Sequence, residues 1–168
     1  MPVNVSELTI EQALAISMKS ELDAEKVYKQ LHQMVHNFVL KDKLEFLMKE
    51  EQKHQKMIRN LYERLISESE IKTADQTVYP ALGLALEETT PVPELIELAM
   101  QAEKAAEEFY DRLSEEAEER GVQEILQYLA SMEHSHYFLL KGEYDLCMRD
   151  ETYYERDDFH TDMIHIGP

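Results

Sequence analysis

Two short stretches of this sequence place a glutamate three residues before a histidine. The first is Glu51 with His54 in "EEQKH", and the second is Glu133 with His136 in "MEHSH". Residues three apart are neighbours on one face of an α-helix, so both side chains of a pair can reach a common ion. Carboxylate oxygens and imidazole nitrogens both bind divalent transition metals. The two pairs therefore indicate a metal site, provided that they point into the protein.

The apolar pattern around the pairs places them on the buried side of their helices. In the last predicted helix, apolar residues recur in steps of three and four, along the seam Val122, Leu126, Leu129, Glu133, His136 and Leu140. Each of the other three helices also carries a glutamate at the middle of its seam. Four carboxylates in one core layer carry a formal charge of −4, which two divalent cations would balance. The predicted ligands are Glu21, Glu51, His54, Glu103, Glu133 and His136.

The sequence also repeats itself, and the repeat pairs these residues with one another. A shift of 82 residues aligns eleven identities without a gap, among them Glu21 with Glu103 and His54 with His136. Glu21 precedes Glu51 by 30 residues, and Glu103 precedes Glu133 by the same number. The second half of the chain is therefore interpreted as a diverged copy of the first, and the metal site as a nearly symmetric dinuclear centre.

Four long helices must position these side chains. Thr9 and Gln12 have the spacing of a capping box, and Thr90 with Pro91 suits the start of a later helix. Gly121 is expected to end the third helix. The predicted helices cover about 10–37, 41–67, 91–120 and 122–149, with a long crossover over 68–90 and a tail over 150–168. We expect one all-α domain over 1–168, an antiparallel four-helix bundle made of two hairpins.

Composition excludes several kinds of partner. A net charge of −18 argues against nucleic acid, whose phosphates need a basic surface. No apolar run reaches the length of a membrane span, and the N-terminal residues lack the pattern of a secretory signal. A single cysteine allows neither an intrachain disulfide nor a four-cysteine metal site. We expect a cytoplasmic protein.

The four seam segments together resemble those of a known family. "ELDAEKVY" (21–28), "EEQKH" (50–54), "EKAAEEFY" (103–110) and "MEHSH" (132–136) are similar to the rubrerythrin branch of the ferritin-like di-iron carboxylate proteins. The resemblance implies a ferritin-like fold and the same six ligands, with Glu51 and Glu133 bridging two iron ions. It also implies self-association, most simply as a homodimer, an expectation to which the aromatic tail contributes.

Two departures from that family pattern bear on activity. The chain cannot build the four-cysteine rubredoxin-like domain that rubrerythrins carry, so electrons would come from an external donor protein. The additional glutamate of that family, which takes part in a redox-linked ligand switch, corresponds here to Ala106. Glu25 and Glu107 lie nearby and are expected on a partly exposed flank. Tyr28 and Tyr110 either hydrogen-bond a ligand carboxylate or simply pack in the core.

Three functions from different classes remain open at this point. The first is an oxidoreductase whose dinuclear centre reduces peroxide or dioxygen. The second is iron handling, with oxidation of Fe(II) for storage or transfer. The third is a metal-binding protein without turnover. Iron is the expected metal, and the same ligands would also bind manganese or a mixed pair.

Overall fold

Helices account for most of the chain. The computed structural model describes residues 3–66, 70–85 and 90–156. Within these ranges lie the helices α1 Ile10–Met34, α2 Phe38–Ile66, α3 Pro80–Ala85, α4 Val92–Glu116 and α5 Arg120–Arg149, and two short 3-10 helices, Val5–Glu7 and Tyr153–Glu155. The described ranges contain no β-strand, which confirms the predicted all-α class. None of their helices combines the length and the apolarity that crossing a bilayer requires.

The four long helices form an antiparallel bundle of two hairpins. α1 packs along α2, and α4 along α5. Between the hairpins, Tyr28 of α1 contacts Glu103 of α4, whereas Glu21 contacts Tyr110. Residue numbers therefore rise along α1 as they fall along α4, and the two helices are antiparallel. The predicted ferritin-like bundle of two hairpins with a long crossover is confirmed.

The start of α1 has the capping box that the sequence predicts. The Thr9 hydroxyl accepts a hydrogen bond from the backbone N–H of Gln12 at 3.2 Å, and the Gln12 side chain accepts one from the N–H of Thr9 at 2.9 Å. These two bonds satisfy two N–H groups that a helix start otherwise leaves unpaired.

The connection between α1 and α2 is shorter and lies earlier than predicted. α1 ends at Met34 rather than 37, and α2 begins at Phe38 rather than 41. The side-chain oxygen of Asn37 accepts a hydrogen bond from the N–H of Leu40 at 2.9 Å and so starts α2 early. The predicted end of this helix at 67 lies outside the described residues.

The predicted boundary between the third and fourth long helices is wrong. α4 ends at Glu116, and Gly121 lies inside α5, which begins at Arg120. The chain leaves the helix at Ala117, which has an extended backbone. Glutamates crowd this end, and negative side chains are unfavourable near the carbonyl end of a helix. The helix thus ends before the glycine that the sequence suggested as its stop.

The crossover is more ordered than predicted. The segment expected at 68–90 contains α3, whose Leu82 and Ala85 are buried against the bundle. α4 begins at Val92 with Pro91 as its N-cap, one residue after the predicted cap. The hydroxyl of Thr90 instead donates to the carbonyl oxygen of Ala85 at 3.3 Å. Residues 68–69 and 86–89 of the predicted crossover lie outside the described ranges.

A layer of polar side chains divides the apolar core into two clusters. One cluster contains Leu14, Ile58, Leu61, Leu113 and Leu126, among others, and the second contains Leu31, Leu44, Ile96 and Leu140. The layer between them holds Glu21, Glu51, His54, Glu103, Glu133 and His136, all buried. The fold thus supports the polar layer with apolar packing on both sides.

The first part of the tail packs against the chain's own bundle. The Tyr153 hydroxyl donates to Glu143 of α5 at 3.0 Å, and Lys43 of α2 pairs with the same carboxylate. The carbonyl oxygen of Tyr154 accepts from the N–H of His36 at 2.8 Å. Residues 157–168 of the tail lie outside the described ranges. The homodimer and the extent of the domain over 1–168 stay predictions.

Thr9→Ala should reduce the free energy of unfolding by about 1 kcal/mol, because alanine cannot accept the N–H of Gln12. Chemical denaturation of the metal-loaded protein measures this change. Thr9→Ser keeps the hydroxyl and should retain nearly all of the stability. Equal losses in the two variants would contradict the role of the cap, and metal content should be unchanged in both.

Candidate metal centre

The structure brings all six predicted ligand residues into one buried layer. α1 supplies Glu21 and α4 supplies Glu103, whereas α2 and α5 each supply one glutamate–histidine pair. All six are at most 3% exposed, in a protein whose surface is strongly acidic. Such a concentration of buried ionisable groups needs compensation from within the layer or from a bound ion.

The first half of the centre is built around His54. The His54 Nδ1 atom lies 2.9 Å from an oxygen of Glu133 and 3.3 Å from an oxygen of Glu51. An oxygen of Glu21 lies 3.2 Å from the same nitrogen. One imidazole therefore faces three carboxylates, which come from three different helices.

The second half repeats the first through the internal symmetry. The His136 Nδ1 atom lies 3.2 Å from an oxygen of Glu51 and 3.3 Å from an oxygen of Glu133. An oxygen of Glu103 lies 3.7 Å away, in the place that Glu21 takes beside His54. The two imidazole rings are stacked, with centroids 5.3 Å apart. The repeat in the sequence is thus a repeat in the geometry of the centre.

Glu51 and Glu133 occupy the middle of the centre. Each has oxygens close to both histidines, whereas Glu21 and Glu103 each approach one histidine. The close approaches at Glu51 do not have hydrogen-bond geometry, and neither of its oxygens is hydrogen-bonded by a described residue. The Nε2 atoms of both histidines are likewise without a partner among the described residues. A buried polar atom left in this state costs about 1–3 kcal/mol.

These unsatisfied atoms and their chemistry fit a pair of metal ions. Glu51, His54, Glu133 and His136 each offer a ligand atom, and these atoms all lie within 4.8 Å of one another. Glu21 and Glu103 stand at opposite ends of this cluster. Two ions, each with one histidine and one end glutamate, could share the two central carboxylates. The cluster thus indicates a dinuclear metal site of carboxylate and imidazole ligands.

Tyr28 and Tyr110 link the two hairpins at the ends of the centre. The Tyr28 hydroxyl donates to Glu103, and the Tyr110 hydroxyl donates to Glu21. Each tyrosine lies seven residues after a glutamate of its own helix, yet it bonds the glutamate of the other hairpin. Of the two possibilities left open by the sequence, the structure shows the hydrogen bond to a carboxylate of the centre, in side chains that are also buried in the core.

Without metal, burial makes the two end glutamates, Glu21 and Glu103, weaker acids than an exposed glutamate. Burial raises the pKa of Glu21 well above its usual value, and the charge of Glu133 adds to the effect. The pKa of Glu103 is raised in the same way. Burial also opposes ionisation of Glu133, but the close approach of the His136 and His54 imidazoles outweighs it and lowers the pKa of Glu133. The pKa of Glu51 is lowered too, because the same imidazoles outweigh its burial.

Both histidines are stronger bases than usual in the absence of metal. Burial favours neutral imidazole, but the close approach of the Glu133 carboxylate, together with contacts from Glu21 and Glu51, outweighs it and raises the pKa of His54. Contacts with Glu103 and Glu133 outweigh burial in the same way and raise the pKa of His136 to about 12. The raised pKa of both histidines favours imidazolium groups opposite the central carboxylates, and the raised pKa of Glu21 and Glu103 favours their neutral form. Protons can therefore offset part of the charge of this layer without metal.

The remaining candidates lie on the flanks. Glu25 is partly exposed and accepts hydrogen bonds from Gln52 and Gln55, and Glu107 contacts the exposed His134 at 2.9 Å. Neither carboxylate joins the centre. Two further histidines also lie outside it, His32 partly exposed and His36 exposed; His160 and His165 lie outside the described residues.

A small cavity adjoins the carboxylates, on the side covered by the crossover. Its volume is about 20 Å³, and its walls include Glu21, Glu51, Glu103 and Glu133. Ala24 and Ala106 also line it. Each follows an end glutamate, Glu21 or Glu103, by about one helical turn. Ser20 and Thr77 complete the covered side. Sequence reasoning missed Ser20 and Thr77, because nothing local marks a contact between residues 57 positions apart.

Metal binding should release protons from the imidazolium groups and from the end glutamates, because burial and the neighbouring charges favour the protonated forms of these groups when no metal is bound. Because these protons must leave, metal affinity should rise as pH rises through the neutral range and fall as pH falls. Anaerobic Fe(II) titration calorimetry in buffers of different ionisation enthalpy measures the release. An affinity that does not change with pH would contradict this charge state.

Tyr28→Phe and Tyr110→Phe should each weaken metal binding by about tenfold or more, because a carboxylate of the centre loses its hydrogen-bond donor. Symmetry predicts similar effects for the two variants. Tyr62→Phe is the matched control, since this buried tyrosine donates to Glu11, away from the centre. Competition titrations with a metal chelator measure the affinities, and an equal loss in the control would show a general packing effect.

Comparison with known proteins agrees with this geometry. No curated protein matches the chain. A structure of a hypothetical protein from Pyrococcus furiosus is similar, with 29% identity and a TM-score of 0.76, over 88% of this chain and 97% of that one. The model of the rubrerythrin family matches residues 12–144, which contain all six residues of the centre. The chain therefore belongs to the rubrerythrin family.

Proposed function

We propose that this protein is a di-iron oxidoreductase that reduces hydrogen peroxide or dioxygen with electrons from an external donor protein. The observation that carries the proposal is the symmetric glutamate–histidine centre with a small cavity beside it. Carboxylate-rich ligation favours iron, because hard oxygen ligands stabilise its oxidised state. Two bound Fe(II) ions would supply two electrons, which together with two protons convert one hydrogen peroxide to two waters.

The protein's own residues hold the centre in place for this reaction. Apolar clusters on both sides exclude bulk water from the layer. Tyr28 and Tyr110 orient the end glutamates through hydrogen bonds that cross between the hairpins. Burial and the charge of Glu21 raise the pKa of Tyr110, which keeps its phenol protonated and able to donate. The centre is thus oriented before an oxidant arrives.

A thiol-based peroxidase reaction does not fit this chain. Its single cysteine, Cys147, is buried in the second apolar cluster. Burial, together with the charge of Glu143, raises the pKa of the Cys147 thiol to about 11. Peroxide reacts with the thiolate form, which such a pKa makes scarce at neutral pH. The glutamate–histidine centre is therefore the better candidate for oxidant chemistry.

The cysteine count supports an external donor as part of this proposal. The single cysteine of this sequence cannot by itself form a four-cysteine iron site that would return electrons to the centre. The acidic surface, with a net charge of −18, would favour a donor with a basic docking face. The donor is part of the proposal, and its identity has to be established by reconstitution.

Glu51→Gln should reduce both iron binding and peroxide reactivity strongly, because a central carboxylate is lost. Glu50→Gln is the matched control: Glu50 is the adjacent buried glutamate, but it pairs with Lys53 outside the centre. The protein is loaded with Fe(II) without oxygen, its iron content is measured, and a peroxide pulse is followed by absorbance. The parent and Glu50→Gln should consume about one peroxide per two Fe(II) ions.

The same experiment distinguishes the competing functions. Iron accumulation well beyond two ions per chain would favour iron handling. Stoichiometric iron that reacts with neither peroxide nor dioxygen would leave a metal-binding protein without turnover and would overturn the proposal. Native purification followed by metal analysis tests iron against manganese or a mixed pair.

A further inference from the structure

We propose that residues 77–82 form a lid, fastened by Ser20, that admits only small oxidants to the cavity beside the centre. The inference rests on the proposed function for the nature of the substrate, whereas the lid itself is argued from contacts. Residues 77–79 and Leu82 line the cavity of about 20 Å³ together with its four glutamates. This segment is the crossover between the two hairpins, rather than a part of the bundle.

Ser20 is the fastening point. Its hydroxyl donates to the carbonyl oxygen of Ile16 at 2.9 Å. The oxygen of the Ser20 hydroxyl also accepts a hydrogen bond from the backbone N–H of Val78 at 2.9 Å, and it lies 3.0 Å from the hydroxyl of Thr77. A hydroxyl has one proton to donate and two lone pairs to accept, so Ser20 uses its full capacity. Two of these three contacts hold the crossover against α1, one residue before Glu21.

Thr77 lies between the cavity and a surface cleft. It is a wall residue both of the inner cavity and of a surface cleft of about 420 Å³ whose lining includes Asp75, Gln76 and Pro80. The side chain is itself largely buried. A molecule that passes from this cleft to the carboxylates must therefore move past Thr77. Loosening of the Ser20 contacts would widen that passage without changing any residue of the centre.

The cavity sets the size of molecule that fits. A volume of about 20 Å³ has room for about one water molecule. Hydrogen peroxide and dioxygen have two heavy atoms each and match this space closely, whereas a hydroperoxide with an aromatic group does not. Ala24 and Ala106 keep the space open, because any larger side chain at either position would project into it. The substrate class is thus small, unsubstituted oxidants.

The test compares Ser20→Ala with a matched control, Ser135→Ala. Like Ser20, Ser135 is a helix serine whose hydroxyl donates to the carbonyl oxygen four residues earlier, that of Ser131, at 3.0 Å. It also directly precedes a residue of the centre, His136. Its hydrogen bond is to its own helix, and it has none to the described residues of the crossover. Both variants should retain the parent's metal content, which separates an effect on the lid from an effect on the site.

Hydrogen exchange of the metal-loaded protein reports on the lid without any turnover. In Ser20→Ala, exchange in residues 70–85 should become about tenfold faster, as the loss of two hydrogen bonds implies. Thr77→Val loses only one of the two contacts and should give a smaller change. Ser135→Ala should leave this segment unchanged. Unchanged exchange in Ser20→Ala would overturn the lid, whatever the reactivity of the centre.

Reaction with two oxidants tests the size limit. Fe(II)-loaded parent protein should react rapidly with hydrogen peroxide and far more slowly with cumene hydroperoxide. Ser20→Ala should reduce this preference by about tenfold, and Ser135→Ala should preserve it. Equal reactivity of the parent toward both oxidants would refute the size limit. If the parent reacts with neither while hydrogen exchange responds as expected, the proposed function fails and the lid remains.

Filling the cavity should slow access to the centre, whereas loosening the lid should speed it. Ala24→Val adds two methyl groups at a partly exposed wall position and should slow the reaction with hydrogen peroxide while metal content and exchange in residues 70–85 stay at parent values. Binding of azide to the Co(II)-loaded protein, followed by visible absorbance, should be slowed in the same variant. Parent-like rates in both measurements would show that small molecules reach the centre by another route.

Discussion

Six ionisable side chains share one layer at the middle of the bundle, and the rest of the structure is arranged around their burial. Leucines and isoleucines above and below the layer exclude water, which makes each charge expensive unless it is paired. Imidazole and carboxylate groups then interact over distances near 3 Å in a medium of low polarity. Protons offset part of the charge of this layer, and its oxygen and nitrogen atoms are of the types that bind divalent metals. The symmetric placement of the groups suits both.

Much of this arrangement is readable from the sequence, because it depends on helical periodicity. The steps of three and four placed Glu51 and His54 with the leucines, and the 82-residue repeat paired them with Glu133 and His136. The structure brings these residues together as the register requires. Periodicity is a property of neighbouring residues, so a single sequence carries it without knowledge of the rest of the fold.

Features that depend on contacts between distant segments were not readable. Ser20 is one serine among many until Thr77 and Val78 lie against it. Glu143 reads as an ordinary helix glutamate, yet it is buried beside Lys43, 100 residues away in the chain. One boundary failed for a related reason: the side chain of Asn37 starts α2 earlier than local propensity suggested. The end of α4 was also misplaced, because the prediction relied on Gly121, which lies inside α5.

The tyrosine bonds that cross between the hairpins make each half of the chain incomplete alone. A hairpin of α1 and α2 holds one histidine and two glutamates, but its end glutamate depends on a phenol from α4, and its own phenol serves α4 in return. Two separate hairpins could assemble such a centre only by meeting in solution, with a dependence on concentration. The crossover joins them in one chain and converts that encounter into an intramolecular event. Assembly of the six side chains then becomes independent of protein concentration.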